Sequence, residues 1–198
     1  MAGSYACATF FFRATPEELA QRYEENAEPA NGYLIRLSDF YLLVDATATE
    51  TADWGRQAQL AALLSENEVI ALSVLLVGDH WGLAVAYDGQ PGPAALFIPK
   101  DEKLLTQLPH KLLAIEKALV DLFPGEIDAD EVDAIFGAMI DGAMPVEDAI
   151  TEILVMLDCP TNWLRWSWYE TIPQQIFTDP DLQRMIIPLG EARQFWEE

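Results

Sequence analysis

A chain of 198 residues that is 51% apolar and 11% aromatic carries enough hydrophobic surface for a globular core, which excludes a disordered chain and one that needs a metal or disulfide staple to fold. Its thirty-three acidic residues face eleven Lys and Arg, a formal net charge of −22. Such a field repels phosphate backbones and anionic lipid, arguing against nucleic-acid and membrane partners, and it speeds encounter with a basic protein.

In chain order, the aromatic and β-branched run over residues 5–13 predicts a strand. Thr15, Pro16 and Glu18 then supply the cap, the first helical position and the capping box of a helix reaching about Glu25, with Leu19 and Tyr23 facing inward. Residues 33–46 hold two short strands, YLIRLS and FYLLVDA, separated by Ser38-Asp39 and therefore antiparallel. DWGRQAQLAALLSE places Trp54, Ala58, Ala61, Ala62 and Leu64 near helical spacing. Residues 69–77 read as a buried strand, 80–88 as its hairpin partner, and 93–99 as a third strand after a turn over 88–92.

The periodicity switches near Lys100. PHKLLAIEKALVDLF, DADEVDAIFGAMI and PVEDAITEILVMLD predict three helices within residues 101–159. WLRWSWYE reads as a further strand, and DPDLQRMII as a short helix capped by Asp179 with Pro180 at its first position. The expected fold is α+β in a single domain over residues 1–198. A mainly antiparallel or mixed sheet fills residues 1–100, a helical part follows over 101–159, and a Trp-rich strand and C-terminal helix occupy 160–198. The order over residues 5–77 is β-α-β-β-α-β, a ferredoxin-like start that the later hairpin extends.

Few residues suggest chemistry. Asp79 beside His80 offers an orienter and a base, but Gly78-Asp79 is ordinary turn chemistry, and adjacent strand residues point to opposite faces. The expectation is a hairpin, not an active site. His110, after Pro109, is placed in the first turn of a helix, at the surface. With two histidines and no metal-spaced Cys or His cluster, no metal site is expected. The acidic stretch from Asp128 lacks the Gly and the terminal Glu of a calcium loop, having Asp133 and Met139 there, so Asp128 is read as a helix cap. No phosphate-binding glycine loop and no nucleophile elbow appear, so neither a catalytic residue nor a cofactor is expected. Asp45 and Asp88 each end a strand, and no spacing singles them out as an acid–base pair.

Trp163, Arg165 and Tyr169 share one face of the Trp-rich strand, the residue types enriched at binding hot spots, and are the candidate partner-binding residues. Cys7 and Cys159 lie far apart in sequence and read as free buried thiols of a reducing compartment. The N-terminus lacks the basic region of a signal peptide, and Val69 to Val77 is about half a membrane span, so a cytoplasmic protein without a membrane partner is expected.

The stretch NEVIALSVLLVGDHWGLAVAYDGQPGPAALF, followed by helices and a Trp/Tyr strand, resembles uncharacterised bacterial proteins over about half of the chain. The shared signature is a hairpin, a helix followed by strands with W-x-x-x-x-Y-x-x-G-like endings, and it transfers no catalytic residue. By analogy of composition and fold class, small acidic α+β proteins of this kind serve as inhibitors or immunity proteins. The expected function is accordingly a non-catalytic protein-binding module that masks a basic partner. The alternatives are a small hydrolase using His80 with nearby carboxylates, and a self-associating structural or regulatory subunit, a homodimer, using the Trp-rich strand.

Overall fold

The computed structural model describes residues 5–159, 172 and 180–195. Its strands are β1 (Tyr5–Phe12), β2 (Asn31–Leu37), β3 (Phe40–Asp45), β4 (Ile70–Val77), β5 (His80–Tyr87), β6 (Gln90–Phe97) and β7 (Ile186–Gly190). Its helices are α1 (Pro16–Asn26), α2 (Ala46–Thr51), α3 (Trp54–Leu64), α4 (Glu102–Leu122), α5 (Ala129–Ile140), α6 (Val146–Met156) and α7 (Pro180–Met185), with a 3₁₀ turn at Glu191–Phe195. The fold is α+β. Among the described residues the strands form one seven-stranded sheet in the order β6-β5-β4-β1-β3-β2-β7, antiparallel at every pairing.

Side chains alternate across the pleat, so each strand feeds two cores. Phe10, Phe12, Ile35, Leu42, Leu72 and Leu83 join Leu112, Ile115, Val132, Ile135 and Ile150 of α4–α6 in one cluster. Their sequence neighbours Phe11, Leu34, Tyr41, Leu43 and Ala71 join Leu19, Tyr23, Leu60 and Leu64 of α1 and α3 in another. The sheet is thus sandwiched between α1 and α3 on one face and α4–α6 on the other. Two-sided burial explains why β3 is buried at all six positions and reads as an unbroken apolar run as far as Val44, instead of an alternating one.

Three hairpins turn on two residues each: Ser38-Asp39, Gly78-Asp79 and Asp88-Gly89. Asp88 and Gly89 both have positive φ (50° and 75°), as a type I′ turn requires, which matches the right-handed twist of the flanking strands. The helix starts are chemically marked. Thr15, Asp45, Asp53, Asp101 and Asp128 each accept a backbone N–H three residues on.

Several expectations need correction. The third hairpin strand begins at Gln90, not at residue 93, because the turn closes on Asp88-Gly89 alone. It accommodates Pro91 and Pro93 because, among the described residues, β6 is an edge strand, where a missing outer N–H costs no ladder bond. α4 begins at Glu102, two turns before Pro109, so His110 sits inside the helix and not in its first turn. On α3 the buried face is Gln57, Leu60, Ala61 and Leu64, and Trp54 and Ala58 are only partly covered. Ile186 and Ile187, expected to continue the last helix, open β7 beside β2.

Candidate functional site

The β4–β5 turn brings His80 to the surface. Its side chain is 49% exposed and that of Asp79 80%, and His80 Nε2 stands 3.6 Å from Asp79 Oδ1. Asp79 lies in the turn itself, where strict strand alternation does not apply, so it does reach toward the imidazole, contrary to the sequence expectation. The separation exceeds hydrogen-bonding range. A cavity of about 210 Å³ adjoins it, lined by Asp79, His80, Trp81 and, from the start of α6, Pro145, Val146 and Glu147. Its wall holds carboxylates and an imidazole, and among the described residues no hydroxyl or thiol joins them as a hydrolase nucleophile. Trp81 stacks on Phe97 with ring centroids 5.7 Å apart and belongs to the core. Asp45 and Asp88 lie at opposite ends of the sheet, because β3 and β5 run in opposite directions.

A second group of polar side chains was not singled out by the sequence. Buried Asp45 accepts from the Tyr23 hydroxyl at 2.5 Å, from the Ala48 amide at 2.7 Å, and from Arg56 through Nε at 2.8 Å and a second guanidinium nitrogen at 3.0 Å. Arg56 also donates to the carbonyls of Glu28 and Pro29. Beside this cluster, Gln57 donates to the carbonyls of Ala8 and Val74 and accepts from the Cys7 thiol. Gly32 makes the close approach possible: a Cβ there would stand 2.9 Å from the Tyr23 hydroxyl oxygen. Burial, reinforced by the negative charges of Asp45 and Asp53, pushes the Cys7 thiol up to about 12, which keeps it protonated and a poor nucleophile. The void among these groups is about 10 Å³, room for no substrate. This network pins α1, α2 and α3 to the sheet. The available signal was an Asp-x-Thr-x-Thr run from Asp45, whose carboxylate caps α2, and a glutamine on the apolar face of α3.

The surface of the other helical layer is different. Residues 101–159 carry fourteen acidic residues against three lysines, a net −11 of the chain's −22, and from residue 118 to 159 there is no Lys or Arg at all. Asp130, Glu131, Asp133, Asp148 and Glu152 are exposed on α5 and α6. The Glu116 carboxyl of α4 is raised, first by partial desolvation and then by Asp133 and Asp130, so like charges crowd where α4 meets α5. Along the outer side of α4 lies an open cavity of about 510 Å³, lined by His110, Leu113, Ala114, Glu116, Lys117, Val120, Asp121 and, from α5, Ala129. Leu113 is 57% exposed there.

Trp163, Arg165 and Tyr169 lie outside the described residues. Among the described residues no three His, Cys, Asp or Glu side chains converge as metal ligands would, and no helix is long and apolar enough to cross a membrane. No family model, curated protein or solved structure matches the chain.

Proposed function

We propose that the protein is a non-catalytic binding module whose acidic helical layer, α4–α6, docks a basic protein and masks it, as an inhibitor does. The observation that carries this is the segregation of charge: residues 118–159 hold eleven acidic side chains and no Lys or Arg. A single-sign surface of this kind steers a basic partner into encounter and disfavours phosphate-bearing ones. The buried polar groups of the opposite layer are mutually satisfied and serve the scaffold. The scaffold itself we read as a ferredoxin-like unit over residues 5–77. That reading rests on the antiparallel order β4-β1-β3-β2 and on α1 and α3 sharing one face of the sheet.

The test is affinity capture from the source cell at low and raised salt, using the native chain and a variant with Asp130, Glu131, Asp133 and Asp148 changed to Asn or Gln. All four are exposed, and the Asp128 cap is left intact. A basic protein retained at low salt, released as ionic strength rises and lost by the variant is the expected result. Retention that ignores both salt and the substitutions overturns it. So does self-association that strengthens with salt, since screening favours two copies that each carry −22.

A further inference from the structure

We infer that the groove along α4 is where the partner seats, and that its occupant is an amphipathic helix with an apolar stripe flanked by Lys or Arg. The inference deepens the basic-partner reading and rests on it. The groove has an apolar floor of Leu113, Ala114, Val120 and Ala129, with Glu116 and Asp121 beside it. Leu113 leaves 57% of its surface in water, and Leu105, two turns earlier on the same helix, leaves 39%. α4 already buries a full stripe, Leu108, Leu112, Ile115 and Leu119, against the sheet. Leu105 and Leu113 lie outside that stripe, stay largely in water and stand ready for another surface.

Shape and charge select the occupant. The lining residues span 110–121 of α4, about three helical turns or roughly 17 Å, the length over which a docked helix presents anchors at i, i+3 or i+4, and i+7. Asp130 and Asp133 stand close enough to Glu116 to raise its carboxyl, and on the described wall Lys117 is the one counter-charge apart from His110. An apolar floor with a carboxylate rim is the complement of a cationic amphipathic helix. A second copy of this chain would bring another −22 to the same rim, which disfavours it as occupant.

The experiment measures binding of a labelled synthetic Leu/Lys peptide of about five amphipathic helical turns at low salt, beside a scrambled peptide of the same composition and a Leu/Glu counterpart. The chain is used whole, as native protein and as the variants Leu113→Glu and Val155→Glu. Val155 is 45% exposed on α6 and is not among the described groove residues. Both positions are exposed, so thermal melts should match the native protein. The ordered Leu/Lys peptide should bind, and Leu113→Glu should weaken it by about tenfold or more, although the added carboxylate improves the charge match. Val155→Glu should leave it unchanged. Equal binding of ordered and scrambled cationic peptides, unaffected by Leu113→Glu, overturns the groove while leaving the basic-partner reading standing. Failure of both cationic peptides, or equal binding of the Leu/Glu peptide, overturns the two together.

Discussion

At Asp45 one carboxylate ties α1, α2 and α3 to the end of β3, accepting from Tyr23, Ala48 and Arg56. Its side chain is 5% exposed and that of Arg56 15%, so the pair sits largely out of water, where removing one partner leaves the other charge uncompensated. Asp45→Asn keeps the N-cap acceptor and the volume, but it removes the charge and turns the oxygen that accepts from Tyr23 and Arg56 into a donor. It should cost about 3 kcal/mol in urea unfolding. Tyr23→Phe, which strips a donor from Asp45 and an acceptor from the Asn31 amide, should cost about 1–2 kcal/mol. The double variant should lose less than the sum, because the two substitutions share a partner. Strict additivity would show that the contribution of the Tyr23 hydroxyl does not depend on the Asp45 charge.

Among the elements, α4 works against its own sequence. Pro109 is the eighth of its 21 residues, where its missing N–H leaves the Leu105 carbonyl without the usual donor and its ring crowds the preceding turn. The helix continues because Leu108, Leu112, Ile115 and Leu119 form one buried stripe across that point, and because Asp101 caps the start by accepting the Leu104 amide. Burying four such side chains outweighs a penalty of about 3 kcal/mol. Pro109→Ala should restore the hydrogen bond and raise stability by about 1–3 kcal/mol. Guanidinium unfolding reads this directly, and an unchanged or lowered midpoint would show that the ring contributes packing that alanine lacks.

For the molecule as a whole, the two thiols report on burial in both layers. Cys7 lies between the sheet and the α2–α3 side, Cys159 in the cluster with α4–α6, and burial pushes each from 9.0 up to about 12. The unfolded chain therefore releases these protons first as pH rises. Between about 9 and about 12 the native state binds more protons than the unfolded one, and stability must fall with pH. Tyr23, raised chiefly by burial and then by Asp45, acts in the same direction. Denaturant midpoints should decline through this window, and the decline should be shallower in a Cys7→Ala, Cys159→Ala variant. At pH 8 both thiols should resist a thiol reagent until the protein is unfolded. Rapid labelling of the native protein would contradict their burial.

Local chemistry made much of this legible. Residues 5–13, 69–77 and 80–88 read as strands, each within a residue of the observed bounds, because β-branched and apolar types cluster between turn pairs such as Gly78-Asp79. α1, α5 and α6 read as helices because their buried residues recur at helical spacing, and because Thr15 and Asp128 mark two of their starts. The composition likewise made the overall acidity plain, whereas its concentration in residues 101–159 stood out only once that segment formed a layer of its own. Elsewhere long-range packing overrode the local signal. α2 forms from the β-prone ATATET because Asp45 caps it and Ala48 packs beside Cys7 and Leu75. β7 forms from IIPLG because β2 offers it an edge to pair with. The sequence determined most of the strands and helices, α2 and β7 apart, since those preferences act within a few residues. Only the tertiary structure decided that β1 lies mid-sheet, that Asp45 meets Arg56 and Tyr23, and that Leu113 stays in water, because pairing and burial depend on residues far apart in the chain.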